Sequence, residues 1–158
     1  EAWDRVRRED GALEGLRIAR YRGLIRHIGV STHSIEVLEQ IIASDLFDTV
    51  MVEYSAFYPQ TASLIARAAE RDIGVIVMRP LGGSGRTSEI RGRIAAGDQG
   101  ILSPSNLLRY VLTHPGVSTA IPGARQPSRI TDNIAAAALG PLGTRECREL
   151  EAAAAALY

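Results

Sequence analysis

A parallel α/β fold is predicted by three observations. Short, almost continuously apolar runs such as Ile73–Met78 have the length of strands buried on both faces. Segments whose apolar residues recur at helical spacing alternate with those runs. Gly, Pro and capping residues fall at the junctions. Such alternation builds βα units in which helices cover a parallel sheet, each crossover is right-handed, and functional groups gather at the C-terminal ends of the strands.

Residues 11–21 place Leu13, Leu16 and Ala19 at helical spacing, and Gly23 just beyond is a stop signal. Ile25–Val30 reads as a short strand. It is closed by Ser31-Thr32-His33-Ser34, where Ser34 caps a helix over Ile35–Ala43 with Glu36 and Glu39 on its wet face. Asp48–Glu53 is the next strand, Tyr54–Thr61 a loop, and Ala62–Arg71 an Ala-rich helix ended by Asp72-Ile73-Gly74. Gly74–Met78 is a third strand. Arg79-Pro-Leu-Gly-Gly-Ser-Gly85 then reads as a Gly/Pro loop opening a long insertion that reaches about Gly100. Ser103-Pro104 begins a helix with an apolar face of Leu107, Leu108, Val111 and Leu112. The strand Val117–Ile121 follows, then a helix from Pro127 or Ser128 to about Ala138, and a last one from a Thr144 cap to about Ala156. The expected order is a helix, four βα units and one extra helix.

The 158 residues, 46% hydrophobic, suffice for one sizeable core, so positions 1–158 are taken as a single region. Basic and acidic residues balance at 18 each, which leaves no single-sign field to hold nucleic acid or an anionic membrane. No apolar run approaches the roughly 20 residues of a membrane span. The first residues, Glu1-Ala-Trp-Asp-Arg5, are charged, lack a signal-peptide pattern and carry no initiator Met, so the chain is expected to begin inside a longer protein. One cysteine, Cys147, permits no internal disulfide, and a reducing cytoplasm is the expected compartment. One cysteine and three scattered histidines give no metal constellation.

The chemistry concentrates near the end of the chain. An apolar strand broken by Pro122-Gly123, followed by Arg125 and a helix with Arg129 and Asn133 at i and i+4, is a phosphate-handling arrangement and points to a nucleotide cofactor. Gly82, Gly83 and Gly85 are either a flexible loop or a phosphate cradle; their place after a parallel strand favours the cradle. Glu53, at a strand end, reads as a general base or as the partner of an arginine such as Arg79, and the second reading is preferred. His27 and His114 read as structural histidines, and His33 stays a candidate at a strand end. Tyr54, Phe57 and Tyr58 either line a pocket or pack their loop. None of these is named catalytic.

Four passages in order carry a family resemblance: Gly23-Leu-Ile-Arg-His-Ile-Gly-Val-Ser31, Val52-Glu-Tyr54, Val77-Met-Arg-Pro-Leu-Gly82, and His114-Pro-Gly-Val-Ser-Thr-Ala-Ile-Pro-Gly123 running on to Asn133. Together they resemble the C-terminal half of the (β/α)8 barrel of the aldo-keto reductase family, and the Met-Arg-Pro-Leu-Gly-Gly form is most similar to a bacterial branch. The resemblance implies that the strands are the fifth to eighth of a barrel that takes about 250 residues when complete. It implies an oxidoreductase using NADP, with NAD as the alternative, to reduce an aldehyde or ketone to an alcohol. The family's catalytic Asp, Tyr, Lys and His come from the first four strands, and this sequence contains no lysine, its 18 basic residues all being Arg. No catalytic residue is therefore assigned, and the chain alone is expected to be inactive.

What the resemblance places here is most of the cofactor site. Ser31 and Thr32 stand where a Ser-Asn pair holds the nicotinamide carboxamide, and Thr32 departs from the Asn while keeping a hydrogen-bonding group. Met51 replaces a usual Gln and Met78 a frequent aromatic. Leu81, Gly82, Gly83 and Gly85 match the pyrophosphate loop. Arg129 and Asn133 match the contacts to the adenosine end. Gly123 stands where a basic residue usually meets the 2′-phosphate, and Arg125 is near enough in sequence to substitute. The implied partners are the nicotinamide dinucleotide, a small carbonyl substrate, and either the missing N-terminal half-barrel or a second copy. The rival reading is a non-catalytic half-barrel that self-associates through its exposed sheet edges.

Overall fold

The computed structural model describes residues 2–97 and 100–157. Its elements are α1 (Ala2–Val6), α2 (Ala12–Tyr21), β1 (Gly29–Ser31), α3 (Ile35–Ser44), β2 (Thr49–Glu53), α4 (Ala62–Glu70, entered through a 3₁₀ turn at Pro59–Thr61), β3 (Gly74–Met78), α5 (Ser84–Ala95), α6 (Pro104–Thr113), β4 (Thr119–Ala120), α7 (Pro127–Ala138) and α8 (Thr144–Ala155). The four strands form one sheet in the order β1-β2-β3-β4, every pair parallel. Sequential order in a parallel sheet means that each helical connection returns the chain to the same starting edge, so all four strand ends point one way.

Local chemistry accounts for the element ends. Helix α2 stops in a Schellman motif: Gly23 sits at φ 72°, its N–H donates to Arg20 O at 2.9 Å, and the Leu24 N–H donates to Ala19 O at 3.0 Å. The Ser34 hydroxyl accepts from the Val37 N–H at 3.1 Å and caps α3, and Ser103 caps α6 by accepting from the Asn106 N–H at 3.1 Å. For α8 the cap falls one residue earlier than the expected Thr144: the Glu146 carboxylate accepts from the Gly143 N–H at 2.8 Å, which places Thr144 inside the first turn.

Strand lengths depart from the sequence expectation at the two edges. β1 begins at Gly29 and not at Ile25: its ladder with β2 starts at Gly29 opposite Thr49, and just before it Ile28 O accepts from the Asp48 N–H at 2.8 Å while the Ile28 N–H donates to the Asp48 carboxylate at 2.7 Å. β4 narrows to Thr119–Ala120, although Ser118 and Ile121 still donate to Val75 O and Val77 O, both at 2.9 Å.

The expected Arg79–Gly85 loop and the insertion it opens are corrected more substantially: Ser84–Ala95 is a helix. Its Gly-rich start masks an apolar spacing, with Thr87 and Ile90 both buried. The Thr87 hydroxyl ties the first turn back, donating to Gly83 O at 2.7 Å and to Leu81 O at 3.2 Å.

One face of the sheet makes the core. Val50, Val52, Val75 and Val77 are fully buried among Ile41 and Ile42 of α3, Leu64 and Ile65 of α4, Leu107 and Val111 of α6 and Leu150 of α8. The alternate positions Met51, Glu53, Ile76 and Met78 are only half-buried. Beside the strands, Tyr54 is buried with its ring 5.5 Å from Tyr110 and 5.6 Å from His114, so it packs its loop. His114 is a satisfied structural histidine: Nδ1 accepts from the Gly116 N–H at 3.1 Å, which leaves Nε2–H to donate to Ala62 O at 3.0 Å. His27 is exposed.

Candidate functional site

Because the strands share one direction, the segments after β1, β2, β3 and β4 form one rim. On it lies a cleft of about 550 Å³ between the start of α5 and the β4–α7 loop. Pro80, Leu81, Ile121 and Pro122 line it together with Gly83, Gly123, Ser84, Ser88 and four arginines, Arg79, Arg91, Arg125 and Arg129. No carboxylate lines it. A concavity lined by one sign of charge attracts anions more strongly than the net charge of the chain would suggest.

The glycines do two different jobs. Gly82 is at φ 80°, and a Cβ there would run into the Phe57 ring, so this glycine is required by packing within the protein. Gly83, at φ 91°, precedes the first residue of α5, and a Cβ on it or on Gly85 or Gly123 would meet nothing within 4 Å. That open space at Gly83 and Gly123 belongs to the cleft. No side chain caps the start of α5, so its first N–H groups and the positive end of its dipole are available to an anion.

Arg79 has φ 52°, uncommon for a residue with a side chain, and its guanidinium donates to Glu53 Oε2 at 3.2 Å. His33 Nδ1 lies 3.4 Å from the same oxygen, and Glu53 is only 15% exposed. Glu53 thus joins β1, β2 and β3 along the rim, consistent with an orienting partner of Arg79.

A second groove of about 540 Å³ adjoins the cleft between α5, the start of α6 and α7. Ile94, Ala95, Pro104, Ala136 and Leu139 give it apolar walls, and Asn133 supplies an amide. Arg91 and Arg129 line both cavities. Arg129 makes a 3.6 Å ion pair with Asp132. Arg91 makes no ion pair with a described residue, and its Nε is buried without a hydrogen-bond partner. Burial first, then the charge of Arg129, hold its guanidinium below the ordinary arginine range.

The structure therefore brings together five of the sequence-derived candidates, Leu81, Gly83, Gly123, Arg125 and Arg129, in the cleft, with Asn133 in the adjoining groove. Gly82 and Gly85 line neither. Ser31 and Thr32 lie on the same rim at the end of β1 but outside both cavities. The Thr32 hydroxyl is engaged locally, accepting from the Ser34 N–H at 3.1 Å. Sequence reasoning missed Arg91 and Ser88, both on α5, and took in Ser84 only as part of the Leu81–Gly85 loop. The signal available was the spacing Thr87, Ile90, Arg91, Ile94, which puts Arg91 at i+4 from a buried residue.

A dinucleotide fits this donor set: backbone N–H groups and arginines for phosphates, an apolar groove with an amide for a base. Among the described residues, no group of His, Cys, Asp and Glu could hold a metal ion, and no helix is long and apolar enough to cross a membrane.

Comparison with known proteins agrees with this geometry. Residues 3–155 match the aldo/keto reductase family. No curated protein sequence matches closely enough to count as a relative. Among solved structures, the holo form of the aldo-keto reductase AKR11C1 from Bacillus halodurans superposes with a TM-score of 0.69 at 18% identity, covering 90% of this chain and 55% of that one. An aldose reductase from Giardia lamblia gives 0.64 at 20% identity, covering 88% and 48%. The chain thus spans about half the length of the structures it resembles.

Proposed function

This chain belongs to the aldo/keto reductase family, and from that premise we propose that it is the cofactor-binding, C-terminal half of an NAD(P)H-dependent reductase barrel that converts an aldehyde or ketone to an alcohol. The carrying observation is the four-arginine cleft, free of carboxylates, with a glycine-bordered helix start at the C-terminal ends of β3 and β4. The N–H groups at the start of α5 and Arg79 receive the pyrophosphate, Arg125 and Arg129 meet the adenosine phosphates, and Asn133 hydrogen-bonds the adenine. Ser31 and Thr32 hold the nicotinamide carboxamide at the β1 end of the rim. The bound nicotinamide supplies the hydride; the proton donor comes from outside this chain, which has no lysine to tune a catalytic tyrosine. A reducing compartment suits the unpaired Cys147, whose thiol burial pushes up toward the inert, protonated form.

The test is calorimetric titration of the full chain with NADP⁺ and NAD⁺, together with a carbonyl-reduction assay. We expect binding of at least one dinucleotide, weakened for both by Arg129→Ala. Reduction is expected only when a complementing half-barrel supplies Asp, Tyr, Lys and His. Absence of binding to either dinucleotide overturns the reading.

A second reading, a half-barrel that self-associates without catalysis, is favoured by its own observation. Among the described residues β1 and β4 each pair on one side only, and exposed apolar side chains precede β1 in the chain, Tyr21 at 93% and Leu24 at 73%, and share a groove with Thr119 and Ala120 of β4, Ile130 at 55% and Ile134 at 66%. Such edges invite pairing. Light scattering separates the two: a closed dimer that binds no dinucleotide supports the module, and a species that binds dinucleotide supports the reductase half.

A further inference from the structure

We propose that the open edge of β1 and the arginine-bearing segment leading into it form a docking surface for an acidic, extended segment of another polypeptide, which adds a strand beside β1. The surface lies at the edge of the sheet opposite β4, and the inference does not rest on the dinucleotide reading. The balance of acidic and basic residues over the whole chain conceals a local excess. From Gly15 to Ile35 there is no acidic residue, while Arg17, Arg20, Arg22 and Arg26 all fall there. Arg17 pairs with Glu14 at 3.7 Å and Arg20 with Asp48 at 3.3 Å. Arg22 and Arg26 are exposed, and neither guanidinium has an ion-pair or hydrogen-bond partner among the described residues.

The strand itself has bonding groups to spare. The Thr49 N–H donates to Ile28 O at 3.4 Å and the Thr32 N–H to Met51 O at 3.1 Å, so Ile28 and Thr32 turn toward β2. Bonding direction alternates along a strand, which turns the N–H and C=O groups of Gly29 and Ser31 outward. Both residues are exposed, and β2 is the only strand beside β1 among the described residues. Tyr21 and Leu24, which precede β1 in the chain, are the most exposed large apolar side chains among the described residues. An added polypeptide strand meets all three features: its backbone bonds Gly29 and Ser31, its carboxylates neutralise Arg22 and Arg26, and its apolar side chains cover Tyr21 and Leu24. A nucleic acid would use the arginines and leave the edge unpaired. A second copy of this chain is opposed by charge: the segment after β4 carries Arg125 and Arg129 against Asp132, and two β1 flanks would set arginine against arginine.

The experiment follows the fluorescence anisotropy of a dye-labelled octapeptide alternating Glu and Val as the full chain is added, with circular dichroism as the check on folding. Binding is expected, and it weakens as salt rises. Arg22→Gln and Arg26→Gln should each weaken it about threefold, the scale of an exposed ion pair, and the double reversal Arg22→Glu with Arg26→Glu at least tenfold. Methylating alternate backbone nitrogens of the peptide keeps every charge and removes the donors of one edge; this should cost about tenfold with the wild-type chain, where no variant has to fold. No binding of the peptide, binding indifferent to the double reversal, or equal binding of the methylated peptide overturns the proposal. It is overturned equally by single-stranded oligothymidylate that binds more tightly than the peptide, or by light scattering that shows a dimer closed to the peptide. NADP⁺ and NAD⁺ titrated into the same samples keep the two readings apart: a chain that binds dinucleotide but no peptide sinks only the docking surface, and one that binds peptide but no dinucleotide sinks only the reductase half.

Discussion

The two inner strands and the two outer ones differ in more than length. β2 and β3 run five residues each, in unbroken register from Thr49 opposite Gly74 to Glu53 opposite Met78, and Val50, Val52, Val75 and Val77 are all but withdrawn from solvent. β1 and β4 run three and two residues, have one partner each and contain no fully buried side chain. Cohesion is concentrated in the inner pair and the helices on its buried face. The candidate cleft spans this division: part of its lining, Arg79 to Ser88, follows β3, and part, Ile121 to Arg129, follows the two-residue β4. A site placed between a rigid and a lightly anchored element has one fixed side and one that a ligand can help to order.

The comparison breaks most plainly in a pair of truncations. Ile65→Ala removes a side chain that is 1% exposed beneath β3 and is expected to cost about 2–5 kcal/mol in urea unfolding. Ile134→Ala, at 66% exposure beside β4, is expected to change stability by less than about 0.5 kcal/mol. Similar losses at both positions would mean that the outer face is covered in solution.

Next in size is Gly82→Ala. It combines φ 80° with a Cβ aimed at the Phe57 ring, and is expected to cost about 1–3 kcal/mol. At Gly83, φ 91° strains the backbone but no atom lies within 4 Å, so Gly83→Ala should cost less in unfolding while weakening dinucleotide binding. The reverse order of stabilities would place the phosphate cradle at Gly82.

Much of this division was legible in the sequence and part of it was not. The inner strands were read nearly to the residue, because a buried parallel strand writes itself as an unbroken apolar run such as Gly74–Met78. The outer strands were read too long: Arg26 and His27 sit in an apolar stretch, yet the ladder with β2 begins only at Gly29 opposite Thr49. Strand propensity is a property of residues, whereas strand length here is set by the partner. The start of α5, Ser84-Gly85, was read as loop and the rest left as an insertion without a helix, because three glycines and a proline dominate its approach, while the two buried positions that hold it, Thr87 and Ile90, are too few to stand out. Losing that helix also hid Arg91. The phosphate-handling residues of the β4–α7 segment were legible because their chemistry is local: Gly123, Arg125 and Arg129 lie within seven residues of each other and reach the same cleft.

The smallest expected effect sharpens the comparison at the outer flank, where α3 follows β1. Ser34 caps α3 and also donates to Glu36 Oε2 at 2.6 Å. Replacing a cap serine by Ala costs about 1 kcal/mol, and thermal unfolding of Ser34→Ala should show a loss of that order. The same substitution acts on Glu36, whose carboxyl is held below its ordinary value chiefly by the Ser34 hydroxyl and then by its own backbone N–H. A depressed folded-state value means that the Glu36 contribution is present above the unfolded carboxylate range and is lost as pH falls through the folded value. In Ser34→Ala the carboxyl should titrate higher, toward the free carboxylate, so the acid limb of the pH–stability curve should flatten. NMR titration of Glu36 reads this directly. An unchanged midpoint would show that the helix start alone, through its N–H groups and dipole, holds the charge, and that the flank after β1 is as well ordered without its hydroxyl as with it.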